Sequence, residues 1–442
     1  MNAPVAKANV EQGIDIDDAH AALPVAQPYS AAYRLYVLIA LAIVGFMCSV
    51  DKVVISMFME PIKKEFLLSD TQLGLMNGVA FALLGGLVAI PLARMADRGN
   101  RKLIVGASFA VWTLMTGASG MASSFLFLLA ARIGVGVGEA GCVPATHSLL
   151  GDYYPRHLRP RALAAHTCGV YLGMLGGMFG GGVLVQTVGW RNGFIGLGLA
   201  GMILALIFQL TVREPQRVDA LHQIPLGKGI LSELGDLPAF AMLLVAYASL
   251  GLVGAVMAWL PSYFERAFAL KPMQIGLGLG ICMGLASATG AMVGGQLSLR
   301  KFHTSRSWGA RYAACVALGV LPIYIGSFFA PTPTQAFALL FVTFLIAGSQ
   351  AGPVFATVQD LVSPHARATA VAIVAVAGVV IGQGMGPLLV GMISDALNTR
   401  GGGVSGLRMA MTSVAMINVV TSLFFYLLAR RIDKIHRPAA HA

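Results

Sequence analysis

Residues 34–58 read RLYVLIALAIVGFMCSVDKVVISMF. After Arg34, only Asp51 and Lys52 interrupt a run of apolar and small side chains. Coiled at ~1.5 Å per residue, the run reaches ~37 Å, enough to cross the ~30 Å hydrocarbon core of a bilayer. Eleven comparable runs follow, at about 71–93, 103–123, 125–150, 161–187, 192–212, 237–263, 272–298, 308–330, 334–361, 366–394 and 405–429. The whole chain of 442 residues is 57% hydrophobic and only 11% charged. Soluble domains carry about 25% charged residues, so a set of soluble domains is excluded. The expected fold is an all-α membrane protein of twelve transmembrane helices in two six-helix bundles. Residues 1–33 read as a disordered tail, 34–212 as the first bundle, 213–236 as a polar linker, 237–430 as the second bundle and 431–442 as a closing tail.

The net charge of +11 does not mark a nucleic-acid binder, because its Lys and Arg lie in short tracts between apolar runs instead of on one face. Their placement orients the chain. With twelve spans, both termini and the even-numbered loops share a side, which holds 21 of the 30 Lys and Arg, against seven on the other. The positive-inside rule makes that side cytoplasmic. The expected location is therefore the plasma (inner) membrane, multi-pass, with both termini inside. The acidic first ~30 residues lack the pattern of a cleavable signal peptide. Cys48, Cys142, Cys168, Cys282 and Cys315 lie in apolar runs without metal-ligand spacing and read as packing residues.

The chain repeats. A shift of 209 carries Pro144, Pro155, Gly169, Gly173, Gly177 and Gly182 onto Pro353, Pro364, Gly378, Gly382, Gly386 and Gly391. A shift of 202 carries Phe66, Gln72, Gly74, Gly78 and Arg98 onto Phe268, Gln274, Gly276, Gly280 and Arg300. Six spans per copy give both copies the same orientation, and such parallel repeats hold a site between them near the midplane.

Two stretches carry a family resemblance. Residues 93–102 read ARMADRGNRK and resemble the G-x-x-x-D-R-x-G-R-R signature of the major facilitator superfamily, with Ala93 and Asn100 in place of its glycines. Residues 132–140 read RIGVGVGEA and look like its R-x-x-x-G-x-G motif. Asp51-Lys52, Gly138-Glu139-Ala140 and the Asp97–Lys102 stretch are similar to the spinster branch, whose members move sphingolipids and lysolipids. Asp-Arg is usual where Lys52 stands. The resemblance implies a transporter fold and a gate on the cytoplasmic face formed by Asp97, Arg98, Arg101 and Arg161.

Charges deep in a bilayer are costly and mark function. Here they are Asp51, Lys52, Arg132 and Glu139. Span one runs outward and span four inward, so Asp51 and Arg132 fall at similar depth, while Glu139 lies two turns from Arg132 on one helical face. A desolvated carboxylate beside a movable cation suits proton coupling. The competing reading is a permanent Asp51–Arg132 pair that only fastens two helices. For Lys52 the competing reading is a side chain that snorkels to the outer interface. His147 and His166 read as packed imidazoles before proton relays. Asn77, Tyr171, Trp259, Tyr263, Gln350 and Gln383 are the candidate cavity residues.

The second half has no deep charge, which suits the tail of an amphiphile. The expected function is proton-coupled secondary transport by alternating access of a lysolipid-like, sphingolipid-like or other amphipathic substrate. An organic-anion (carboxylate) proton symporter is the alternative, and a channel or sensor on the same scaffold the different class. No nucleotide-binding loop or zinc-protease motif occurs, so an ATP-driven pump and an enzyme are disfavoured. The expected partners are bilayer lipid, substrate and protons, without nucleic acid, metal or cofactor. The proton gradient supplies the energy, and the chain is expected to act as a monomer.

Overall fold

The computed structural model of the chain describes residues 29–155, 158–215, 236–301, 305–362, 367–398 and 403–435. Within them, twelve helices are long and apolar enough to cross a membrane. In the first half these are α1 (Ala31–Phe66), α2 (Asp70–Ala89), α3 (Arg101–Gly120), α4 (Phe125–Tyr153), α5 (Arg161–Thr187) and α6 (Gly189–Thr211). In the second they are α7 (Leu237–Phe268), α8 (Pro272–Arg300), α9 (Trp308–Phe328), α10 (Pro333–Asp360), α11 (Ile373–Asn398) and α12 (Val404–Ile435). No strand occurs among the described residues. The expected tails and linker fall mostly outside the described residues. Where they are described, helix extends further than expected, from Ala31 at one end and to Ile435 at the other.

Side chains start the helices by satisfying amide donors that lack intrahelical acceptors. The hydroxyl of Ser30 accepts from the Tyr33 amide at 3.2 Å, and that of Ser124 from the Phe127 amide at 3.3 Å. Asp236 caps α7 through the Ala239 amide at 2.8 Å. A hydrogen bond from Arg431 holds the Asp236 carboxyl below the usual carboxylate range, so the cap stays charged in mildly acidic buffer and is lost only as pH falls through the lowered value. The repeat is visible here too: Gln72 accepts from the Ser69 amide at 2.9 Å, and its mate Gln274 from the Lys271 amide at 3.1 Å.

Within the halves, α1 lies along α5, α3 along α6, and α12 along both α7 and α9. The halves meet where α2 packs on α11 and α5 on α8. Glycine makes both contacts possible. A Cβ at Gly74 would collide with the Pro387 carbonyl, and one at its mate Gly276 with the Met178 carbonyl. Gly391 and its mate Gly182 are pressed in the same way on the carbonyls of Asp70 and Pro272. These contacts lie at the helix ends away from Ala31 and Ile435 and close the seam between the halves there.

Several spans are locally irregular. The helix of α4 breaks at Ala140–Gly141, directly after Glu139, and α10 breaks at Ser349–Gln350, the repeat-related position. π-Helical turns occupy Ile281–Ala286 in α8 and Gly378–Met385 in α11. Such turns release carbonyls and re-aim side chains, and they gather at functional sites. Met283 and Gln383, one from each turn, border the cavity between the halves.

Candidate functional site: a charged cavity between the halves

The cavity holds about 920 Å³ of empty space, part of it open. Its walls differ. Lys52, Ser56, Asn77, Arg132 and Gln383 supply polar groups. Met174 and Met178 from α5, Met257 from α7 and Met283 from α8 supply an apolar wall of flexible thioethers, which adapt to irregular ligands.

Behind the polar wall lie two ion pairs side by side. Arg132 Nη1 donates to Asp51 Oδ2 at 3.1 Å, and Thr116 Oγ1 donates to Asp51 Oδ1 at 2.5 Å. Lys52 Nζ lies 3.2 Å from Glu139 Oε2, to which Cys48 Sγ also donates at 3.4 Å. Asp51, Arg132 and Glu139 are buried, at 4%, 1% and 5% exposure. Arg132 also stacks over Phe81, 5.9 Å from the ring centre. The Lys52 side chain is 39% exposed, and because Lys52 lines the cavity that surface belongs to the cavity. Glu139 Oε1 and Arg132 Nε are buried without a hydrogen-bond partner among the described residues.

This differs from the sequence reading in one respect. Lys52 does not snorkel outward. The helix of α1 continues past Phe58 to Phe66, which places Lys52 ~21 Å short of its end at ~1.5 Å per residue, beyond reach of a lysine stem. It turns instead to Glu139. Neighbouring positions on a helix point about 100° apart, so Asp51 reaches Arg132 on one side while Lys52 faces the cavity on another.

Of the other candidates, Asn77 and Gln383 border the cavity and four do not. Trp259 and Tyr263 are fully buried. The Trp259 indole donates to the Pro387 carbonyl at 3.1 Å and the Tyr263 hydroxyl to the Phe328 carbonyl at 2.5 Å, so both brace the second half. Gln350 is buried at the break in α10. Tyr171 is half-buried on α5, where its carbonyl meets Gly284. His147 and His166 stack edge to face at 5.5 Å. The sequence does not mark the cavity methionines, since spacing alone cannot say which of 21 Met residues face inward.

The expected gate on the terminal face is placed only in part. The side chains of Asp97 and Arg98 lie outside the described residues, and Arg161 is exposed at the start of α5. Arg101 does not reach across the halves. It binds Asp152, Ser148 at 3.2 Å, Glu214 at 2.8 Å and the Pro215 carbonyl at 3.3 Å, the first two in the first half and the last two at the start of the linker. It thus fastens the start of the linker to α3 and α4.

The opposite face carries a cluster that the sequence reading missed. Arg266 of α7 donates twice to Asp70, each at 2.8 Å, and once to Glu60 at 2.9 Å. Lys63 and Ser394 also bind the fully buried Asp70. Asp395 of α11 accepts from the Asp70 amide at 3.0 Å and the Thr71 amide at 2.7 Å, at the start of α2. The repeat-related contact is neutral: Gln186 accepts from the Met273 amide at 3.3 Å. Charges near predicted span ends, such as Glu60 and Asp70, gave no sign in sequence of meeting.

Twelve membrane-length helices in repeat-related halves, around a charged cavity sealed at one face, define a polytopic membrane transporter. The chain belongs to the Major Facilitator Superfamily, whose profile matches residues 41–387. It is similar in structure to a bacterial homologue of the human lysosomal transporter spinster, crystallised inward-facing and unoccupied. That likeness has a TM-score of 0.83 and 29% identity, and covers 93% of this chain and 100% of that one. An MFS-type efflux pump of Mycolicibacterium smegmatis is 29% identical over 393 residues, 88% of this chain and 91% of the pump. The probable L-galactonate transporter of Escherichia coli is 28% identical over 258 residues, 54% of this chain and 55% of that protein.

Proposed function

We propose that the protein is a proton-coupled secondary transporter, working by alternating access as a monomer in the inner membrane with both termini in the cytoplasm. Its substrate on this reading is an amphipathic molecule of lysolipid or sphingolipid type. The observation that carries the reading is the mixed lining of the cavity, in which Lys52, Asn77 and Gln383 supply polar groups and four methionines supply apolar surface. The likeness to the spinster homologue supports a transporter of that kind, and the resemblance of Asp51-Lys52 and Gly138-Glu139-Ala140 to the spinster branch implies the lipid class. Asp51 and Glu139 are the proton-carrying candidates, Arg132 and Lys52 their cations, and no bound cofactor is needed. With the seal on the outer face, the conformation is inward-facing.

A second reading, an organic-anion proton symporter, is favoured by the two cations that border the cavity and by the galactonate-transporter relative. Purified protein in liposomes under an imposed pH gradient separates the two. A lysophospholipid and a sphingoid phosphate are compared with a panel of small carboxylates, for the wild type and Glu139→Gln. Gradient-driven movement of the lipid, lost in the variant, supports the proposal. Movement of a carboxylate alone transfers Lys52 and Arg132 to carboxylate binding and removes the lipid assignment.

A further inference from the structure

We infer that Asn77 of α2 and Gln383 of α11 form a hydroxyl-binding subsite, one carboxamide from each half, which selects substrates that carry hydroxyl groups beside their anionic group. It rests on the proposed reading of the cavity as the seat of a substrate with an anionic group, and it applies to both substrate classes named there. It adds the feature those classes must share.

Backbone contact places the two residues. A Cβ at Gly78 would collide with the Gly384 carbonyl, so α2 and α11 touch one residue past each carboxamide. Asn77 is the last residue before the break in α2 at Gly78, and Gln383 lies in the π-helical turn Gly378–Met385. Both border the cavity. Their hydrogen-bonding capacity is nearly unused. The Asn77 amide donates to the Met59 thioether at 3.6 Å, a weak acceptor. The exposed Gln383 amide meets no hydrogen-bond partner among the described residues.

The repeat supplies an internal control. At the seam between α5 and α8 the same backbone contact recurs: a Cβ at Gly280, the mate of Gly78, would press on the carbonyl of Leu175, the mate of Gly384. The mates of Asn77 and Gln383 there are Leu279 and Met174, both apolar. Leu279 is fully buried and Met174 borders the cavity. Packing of a seam therefore does not call for carboxamides, and their presence at one seam only points to a ligand.

The chemistry of the carboxamide names the ligand group. It offers two N–H donors and an oxygen acceptor. A hydroxyl both donates and accepts, so it satisfies either end. A carboxylate or phosphate oxygen only accepts, and Lys52 and Arg132 already border the cavity as donors for it. Phe81 sets the spacing. It lies four residues beyond Asn77 on α2, ~6 Å of rise, and its ring carries the Arg132 guanidinium at 5.9 Å from the centre. The carboxamides thus lie about one helical turn from the level of the cations. A hydroxyl a few carbons from the anionic group spans that gap. Glycerol beyond a phosphate and the polyol chain of a sugar acid both provide one; a plain alkyl phosphate or fatty acid does not.

The test is calorimetric titration of the full-length protein in lipid nanodiscs, with empty nanodiscs as the blank. Two pairs of probes are compared: short-chain lysophosphatidylglycerol with lysophosphatidylpropanol of the same chain, and galactonate with hexanoate. Within each pair the charge and carbon count match and the hydroxyl groups differ. The expected result is that the wild type binds the hydroxylated member of at least one pair about tenfold more tightly. Asn77→Leu and Gln383→Met install the residues of the repeat mates. Each variant should lose most of that preference and keep its affinity for the hydroxyl-free member. The double variant should lose less than the sum of the two single losses, as residues sharing one ligand group do. Preference within the lipid pair alone, or within the carboxylate pair alone, identifies the source of the hydroxyls. Equal affinities within both pairs for the wild type, or a preference that survives both substitutions, overturns the subsite. Equal weakening of both members of a pair also overturns it, since the carboxamides would then only shape the cavity. Binding of no probe overturns the reading of the cavity together with the subsite.

Discussion

Asp51, Arg132 and Glu139 were legible in the sequence because each is a charge that no soluble surface can receive. The Asp51–Arg132 pair was one of the readings their depth allowed; the Lys52–Glu139 pair was not. Depth along a span follows from the chain at ~1.5 Å per residue, but which neighbour a side chain faces depends on how α1 and α4 are rotated. The structure gives Arg132 to Asp51 and Glu139 to Lys52. Two predictions belong to this scale. Asp51→Asn leaves Arg132 buried without its counter-charge, a change that typically costs about 3–5 kcal/mol when a buried pair is broken. Its gradient-driven uptake should be lost and its melting temperature in detergent lowered, checked by transport assay beside thermal unfolding. Glu139→Gln should also lose gradient-driven uptake yet keep exchange without a gradient, because its amide can still meet Cys48 and occupy the same volume. Loss of exchange as well would make Glu139 a folding residue.

At the scale of the elements, glycine spacing was legible and its purpose was not. Gly74 and Gly276, and Gly182 and Gly391, stand out as repeats; only the packed helices show that each admits a carbonyl of the other half. Gly74→Val should disfavour the sealed conformation, since the backbone of α11 must retreat to admit an isopropyl group whose Cβ alone would meet the Pro387 carbonyl. The charged seam makes a related prediction. Asp70 and Arg266 hold the halves together on the sealed face, whereas the seam with Gln186 and Met273 has no such pair among the described residues. Arg266→Gln should therefore raise the outward-open population, by at most the roughly hundredfold or more that the about 3–5 kcal/mol typical for breaking a buried pair would give. Labelling of a cysteine at Met257, in a protein freed of its five native cysteines, reads the change when the reagent is applied from the outer side. Unchanged labelling would show that the glycine contacts alone set the seal.

For the whole molecule, twelve runs, a parallel repeat and a charge bias were enough to reach the fold, because a bilayer leaves a chain little freedom: every span must satisfy its own backbone. The substrate wall was not accessible in this way. Apolar faces turned to lipid and to a cavity have the same composition, so the four methionines emerged only from packing. The account's central claim is that substrate movement is coupled to that of protons. It is tested most directly in liposomes that start with no pH gradient and enclose a pH-sensitive dye, when short-chain lysophosphatidylglycerol is added outside. The prediction is a shift of the lumen pH with wild-type protein and none with Glu139→Gln. Entry of the lipid with the lumen pH unchanged would contradict it.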